Sequence, residues 1–258
     1  MIDSVIEKLA EDWTSSGVCS GDVLLVHSNI KRTFKCGIKM GVRLSGDDIL
    51  SSFLKALGPD GTLLLPLYNF DFASGTSFDI RSSPSHMGAL TEAGRLYEGA
   101  VRTGHPIYSF AVIGKHADKF KNIDNFSGYG DDSPFAMLRK LNGKIASLDL
   151  PDQNSMTFYH HVEEMNEVDY RYHKTFTGNY TDINGKKSQK KYGLFVRDIE
   201  RNVLTHVDPA GELMWDAGLY SGDRPGEGCG LRVIGSNDMF EFVANIIKTD
   251  KALNNLYK

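Results

Sequence analysis

Cysteine is scarce in this 258-residue chain, and its three copies, Cys19, Cys36 and Cys229, stand far apart. Odd in number and widely spaced, they exclude both a disulfide framework and a zinc ribbon. Long apolar runs are missing as well, so no segment reads as a membrane span. The N-terminus, MIDSVIEKLAEDW, carries acids where a secretory leader would carry a basic region and an apolar core, and a cytoplasmic protein is expected. Charge of one sign is not concentrated anywhere: 29 Lys+Arg face 33 Asp+Glu for a net charge of -4. That balance argues against a phosphate-tracking surface, so nucleic acid is not expected as a partner. The phosphate loop G-x-x-x-x-G-K-[ST], the G-x-S-x-G elbow and the H-E-x-x-H zinc helix are all absent. Gly226, Gly228 and Gly230 lack dinucleotide spacing and precede a strand, which makes them a loop.

With 41% hydrophobic residues the chain can bury a substantial core, and the pattern divides it into helices and strands. Ile2, Val5, Ile6, Leu9, Ala10 and Trp13 share one helical face that ends at Gly17. DVLLVH from Asp22 to His27 is apolar without alternation, the signature of a strand covered on both faces. Ser45 with Asp47 and Asp48 caps a helix ILSSFLKAL, which Gly58-Pro59-Asp60-Gly61 stops, and TLLLPLY from Thr62 is a second buried strand. Strand, helix, strand at this spacing is an α/β unit.

Further on, MGALTEAGRLYEG from Met87 predicts a helix and YSFAVIG from Tyr108 to Gly114 a strand. SPFAMLRKLNG from Ser133 has Pro at the first helical position and a glycine stop, and IASLDL follows as a strand. MTFYHHVEEMNE from Met156 is a helix with Phe158, Val162 and Met165 on its apolar stripe. After Asp169 the residues alternate and Asn184-Gly185 breaks the run, which predicts a β-hairpin with a primed turn over roughly residues 170–200. A helix near Pro209 to Ala217, a strand LRVIGS and a helix from Asn237 to Ile247 complete the chain. No repeat or linker is visible, so residues 1–258 are expected to form one domain with the hairpin as an excursion.

Histidine offers the chemistry, because its pKa lies near working pH. His27 ends the first buried strand, where ligand clefts form in open α/β sheets; a histidine satisfied by backbone at a strand end is the competing reading. His105, in RTGHPIYS, has Pro106 fixing the backbone beside it and Ser109 four residues on, against a plain turn histidine. His160 and His161 share a helix with Thr157, Glu163 and Glu164. Neighbours at i,i+3 meet on a helix surface, so a carboxylate there can fix one imidazole's tautomer and leave its other nitrogen free as a base. A solvated face with ordinary ion pairs would show the same letters.

DVLLVHSNI, GPDGTLLLPLYNFDF, SHMGALTEAGRLYEGAVRTGHPIYSFAVIG, DDSPFAMLRKLNGKIASL and NSMTFYHHVEE together resemble, in order, the signature blocks of the aminoglycoside 3-N-acetyltransferases, also called the antibiotic N-acetyltransferase family. The blocks run from Asp22 to Glu164. The resemblance implies an α/β fold: a three-layer α/β/α body with a mostly parallel or mixed central sheet and an appended antiparallel β portion. It implies an enzyme that uses acetyl-CoA as co-substrate, needs no metal, and acetylates an amino group of an amino sugar; a homo-oligomer is compatible with it.

By the same resemblance His27, Ser28 and Asn29 border the acetyl-CoA channel, and His105 and Ser109 contact the cofactor. The helix with N-[TS]-x-x-x-H-x-x-E character supplies the catalytic base, so His160, Glu163 and Thr157 inherit the catalytic roles. His161 with Glu164 is the alternative register. Tyr68, Asp71, Asn154, His161 and Glu164 are assigned to the substrate side.

Two departures bear on the substrate. Asp149-Leu150-Pro151-Asp152 stands where many antibiotic-modifying members carry Gly-Val, and the hairpin YRYHKTFTGNY is aromatic and basic, whereas a polycationic aminoglycoside calls for carboxylates. A nucleotide-linked deoxyamino sugar of polysaccharide biosynthesis is therefore the other acceptor considered, with Lys174, Lys186, Lys187, Lys190 and Lys191 suited to its phosphates. Direct attack of the amine on the thioester is expected, with Thr157 or backbone amides holding the oxyanion. The rivals are acetyl transfer through Cys36, a metal-dependent amide hydrolase built on His27, His105 and His160, and a sugar-binding protein without catalysis.

Overall fold

The computed structural model describes residues 1–258. Helix α1 (Ile2–Ser15) leads into strand β1 (Val23–Ser28), helices α2 (Lys31–Lys39) and α3 (Gly46–Leu57), and strand β2 (Thr62–Pro66). A short strand β3 (Phe78–Asp79), helix α4 (Ala89–Leu96), and strands β4 (Val101–Arg102) and β5 (Phe110–Gly114) follow. Helix α5 (Pro134–Lys140), strand β6 (Lys144–Leu148), the single turn α6 (Asp152–Ser155) and helix α7 (Phe158–Met165) lead to the long strands β7 (Arg171–Thr181) and β8 (Lys187–Arg197). Helix α8 (Asp208–Asp216), strands β9 (Ser221–Gly222) and β10 (Leu231–Gly235), and helix α9 (Ser236–Lys248) end the regular structure.

Seven strands form the central sheet in the order β4-β5-β2-β1-β6-β10-β9. Strands β2, β1 and β6 run parallel at its centre, and β5, β4, β10 and β9 are added by antiparallel pairings. The sheet is mixed. Period-two alternation explains the three layers: Val23, Leu25, Leu64, Val112 and Ile145 feed one apolar cluster, while Leu24, Val26, Leu63, Leu65 and Ala146 feed another. Helices α1, α3 and α4 cover the second cluster, and α5, α7, α8 and α9 cover the first. Because β1 is buried on both faces, its sequence shows no alternation.

Local chemistry sets the ends of these elements. Ser45 and Asp48 form a reciprocal capping box on α3, and Gly58 (φ 64°) ends it in a conformation that favours glycine. Trp13 of α1 stacks on Phe53 of α3 with ring centroids 4.9 Å apart, and its indole N–H donates to Ser52 Oγ at 2.8 Å. That buried donor is therefore satisfied.

Strands β3, β7 and β8 form a second, three-stranded sheet. The hairpin lies where the alternation places it, but its turn differs from the primed two-residue form. Asp182 N donates to Lys186 O at 3.0 Å, so three residues, Ile183 to Gly185, make the loop, and of these only Gly185 has positive φ, at 82°. Asp182 Oδ1 accepts the amides of Asn184 and Lys186, which stabilises the longer turn. Helix α2 is a second difference: KRTFKCGIK buries only Thr33 and Gly37, so its apolar periodicity is too thin to read.

Candidate active site

The carboxyl ends of β1, β2 and β6 converge at one end of the sheet, where ligand clefts form in open α/β folds. His27 lies on β1, Tyr68 follows β2, and Asp149 turns the chain from β6 towards α6. Asp149 has φ 51°, and Arg32 Nε holds both its carboxylate oxygens at 3.0 and 2.9 Å. A cavity of about 310 Å³ opens there, lined by His27, Tyr68, Asn154, Thr157 and His160 among others.

Helix α7 presents two adjacent faces. On one, His160 Nδ1 lies 2.7 Å from Glu163 Oε2, as the i,i+3 spacing requires. Glu163 is fully buried, and Arg171 Nε of β7 lies 2.7 Å from the same oxygen. Burial pushes the Glu163 carboxyl up, but Arg171 and His160 outweigh it and hold it below the usual range. An ionised carboxylate can only accept, so Nδ1 carries the imidazole proton and Nε2 is left as the basic nitrogen. The ring itself is lowered from its ordinary value, first by burial and then by Arg171, against the opposing pull of Glu163. It is neutral at pH 7.

On the other face His161 is fully buried, with Nδ1 2.6 Å from the Tyr129 carbonyl and Phe135, Phe158 and Phe240 around its ring. Glu164 accepts from Ser127 Oγ at 2.7 Å, and burial raises its carboxyl. The alternative register is thus held by structural partners, and neither His161 nor Glu164 lines the cavity.

The other side chains singled out from sequence divide in the same way. His27 faces the cavity with Nε2 buried and without a hydrogen-bond partner, and burial, aided by Arg232, lowers its pKa to about 3. The Tyr68 hydroxyl is likewise buried and unpartnered. Thr157 lines the cavity at the start of α7 without capping it. Asn154 is an exposed part of the same wall. Ser28 continues the β1–β6 ladder, and Asn29 donates its amide to Leu148 O at 2.8 Å as the chain enters α2.

His105 lies elsewhere: it is fully buried, its Nδ1 accepts the amides of Ile107 and Tyr108, and its Nε2 meets Gly193 O at 3.3 Å. Ser109 is buried against Arg102 and Leu67 O. Asp71 is exposed beside His86 at 3.3 Å, outside the cavity. A zinc set of His27, His105 and His160 is not assembled, since His105 spends both nitrogens on the backbone. Cys36 lines a different cavity, between α1, α2 and the loop at residues 222–229.

Sequence reasoning passed over the floor of the site. Asp152, mentioned only as a departure from a motif, receives Arg232 Nη2 at 2.7 Å and the hydroxyls of Tyr159 and Tyr220 at 2.7 and 2.8 Å, all buried. Arg232 also donates to Leu150 O. Arg171, the partner of Glu163, was missed too. Arg171 opens β7 and Arg232 lies on β10, in different sheets, so only the tertiary fold brings these arginines in, and no local pattern announces that.

The chain is a three-layer α/β/α body with an imidazole–carboxylate–guanidinium row beside a cleft at the carboxyl end of its parallel strands. The family is shown by comparison: residues 25–221 match the family model described as aminoglycoside 3-N-acetyltransferase, and the chain belongs to that family. It is 29% identical over 179 residues to aminoglycoside N(3)-acetyltransferase VII of Streptomyces paromomycinus, a match covering 61% of this chain and 59% of that protein. The solved structure of aminoglycoside acetyltransferase AAC(3)-Xa superposes with a TM-score of 0.79 at 23% identity, covering 97% of this chain and 93% of the other. The binary complex of AAC-IIIb with CoASH superposes with a TM-score of 0.76 at 21% identity, covering 95% and 96%. These two likenesses define the fold, including the mixed sheet and the small second sheet.

Proposed function

We propose that the protein transfers the acetyl group of acetyl-CoA to an amino group of an aminoglycoside or a related amino sugar, with His160 as the base. The observation that carries this reading is the row His160–Glu163–Arg171, in which a buried, ionised carboxylate fixes a neutral imidazole beside a cavity. Family membership and the coenzyme A bound to AAC-IIIb support the donor.

In this reading the substrate ammonium gives a proton to His160 Nε2, and the freed amine attacks the thioester carbonyl. Glu163 stabilises the imidazolium that results, and Arg171 keeps Glu163 charged before and after the transfer. The Thr157 hydroxyl, with backbone amides of the cleft, holds the oxyanion until the thiolate leaves; the His160 imidazolium returns its proton to that thiolate, and the adduct nitrogen gives its remaining extra proton to water as the amide forms. Proton removal by a placed base is worth about 10²–10⁴-fold, and juxtaposition of donor and acceptor contributes more. His27, neutral at any working pH, offers a ring N–H or lone pair to the acetyl-CoA channel together with Ser28 and Asn29.

The acceptor is read at two levels. The family supports an aminoglycoside, while the exposed lysines of the β7–β8 hairpin keep a nucleotide-linked amino sugar in view. An acetyl-CoA consumption assay across both groups tests the function. Turnover with one group identifies the acceptor, and no turnover with either, while the folded protein binds coenzyme A, removes the proposal.

A further inference from the structure

The row His160–Glu163–Arg171 holds the imidazole from its Nδ1 side. No side chain caps the helix beneath it. Helix α7 is eight residues long, and His160 is the third of them. The chain reaches it from α6 through Met156 and Thr157, where Thr157 N donates to Ser155 O at 2.8 Å in a tight turn. The first turn of a helix leaves its amides without intrahelical partners, and an uncapped start frays unless tertiary contacts hold it.

Asp152 supplies that contact. Tyr159, next to His160 in the same turn, is fully buried, and its hydroxyl donates to Asp152 Oδ2 at 2.7 Å. The Tyr220 hydroxyl donates to the same oxygen at 2.8 Å, and Arg232 Nη2 donates to Oδ1 at 2.7 Å. Burial, aided by the Asp152 charge, raises both phenols well above their ordinary range, so they remain donors. Gly211 of α8 closes over the carboxylate, where a Cβ would come within 2.6 Å of its carbon. Arg232 roots this group in the sheet: it stands opposite Ser147 on β6, which stands opposite His27 on β1, so the guanidinium shares the cavity's end of the sheet. It also donates to Leu150 O, two residues past β6. Because Arg232 matches the charge of Asp152, the anchor adds no net charge to the cavity that a substrate ammonium enters.

We infer that Asp152 is a positioning residue for the reaction: held by Arg232, it pins Tyr159 and thereby sets where His160 and the Thr157 hydroxyl stand in the cavity. This deepens the proposed function and rests on its reading of His160 as the base. A misplacement of about 1 Å in a reacting group costs on the order of 10²-fold in rate, so a carboxylate that fixes the first turn of α7 acts on turnover through its neighbours.

Two matched variants separate positioning from stability, because Tyr159 and Tyr220 give their hydroxyls to one oxygen but only Tyr159 belongs to α7. Tyr159→Phe and Tyr220→Phe each remove one buried hydrogen bond and keep the ring, so both should lower Tm by a similar amount, about 3–10 °C. With acetyl-CoA and the amine acceptor that the wild type uses, kcat is expected to fall about tenfold in Tyr159→Phe and no more than about twofold in Tyr220→Phe, with KM for acetyl-CoA unchanged. The acid limb of kcat/KM should stay in place in Tyr159→Phe, since Glu163 and Arg171 still set the titration of His160. In a His160→Ala background, Tyr159→Phe should cost nothing further. Equal falls in kcat in the two tyrosine variants, a wild-type kcat in Tyr159→Phe, or a further tenfold fall in the His160→Ala background overturns the inference. Near-wild-type turnover in His160→Ala removes the base itself and this inference with it, whereas a large loss there beside equal tyrosine variants removes only the anchor.

Discussion

Replacing Arg171 by methionine should unbalance the row His160–Glu163–Arg171 in two measurable ways. Glu163 is fully buried, the Arg171 side chain is 5% exposed, and they meet at 2.7 Å. Removing one partner of such a pair strands the other, at a cost of about 3–5 kcal/mol. Arg171 also donates to Phe195 O at 3.1 Å and Thr205 Oγ1 at 3.2 Å, which ties β7 to β8 and to the loop before α8. Urea unfolding at pH 7 should therefore show a loss of that order. The second effect is on titration. Arg171 lowers the proton affinity of both His160 and Glu163, so without it the pair takes up its proton at higher pH. The acid limb of kcat/KM should move upward, since the base is lost once the pair is protonated. Arg171→Lys, which keeps the charge, should move the limb less. A folded Arg171→Met protein with an unmoved acid limb and a stability within about 0.5 kcal/mol of wild type would refute the reasoning.

Three further outcomes follow from the same geometry. Asp152→Asn should destabilise the protein by about 3–5 kcal/mol in chemical denaturation, because Arg232 would be left as a buried charge without its counter-ion; a change under about 1 kcal/mol would contradict that role. His27, His105 and His161 have folded-state pKa values lowered to about 3, 4 and 4, so the unfolded chain binds protons first as pH falls. Stability is fully present above the unfolded value near 6.5 and is lost between there and about 4, by ~3 kcal/mol per group at most; a melting temperature flat across that window would be inconsistent with neutral buried rings. Cys36→Ser should leave kcat unchanged, because Cys36 lies in a cavity apart from His160; a large loss with an acetyl burst in the wild type would favour transfer through the thiol.

Much of the fold is legible in the sequence because burial leaves simple patterns. The unbroken apolar run of β1, the Ser45–Asp48 box and the alternation of β7 and β8 each report their surroundings directly. Helix α2 is not legible, since four basic residues and a glycine in nine positions give no apolar face; its place after β1 is fixed by the fold. The turn at Asn184-Gly185 is misjudged by one residue because the Asp182 side chain, not the dipeptide, sets its geometry. Within α7 the sequence offers two pairs at i,i+3, and periodicity cannot rank them. The partners that distinguish them, Arg171 for one pair and Tyr129, Phe135 and Ser127 for the other, are contributed from outside the helix. His105 shows the converse: its motif is conspicuous, yet in the structure its ring organises backbone.

The central claim is that His160, oriented by Glu163, removes the proton from the attacking amine. It is tested most directly by single-turnover acetyl transfer in His160→Ala with acetyl-CoA and the amine acceptor that the wild type uses, with coenzyme A binding measured in parallel. The account predicts a fall in the transfer rate of about 10²–10⁴-fold with donor affinity nearly unchanged. A transfer rate within a few-fold of wild type at the same donor affinity would contradict it.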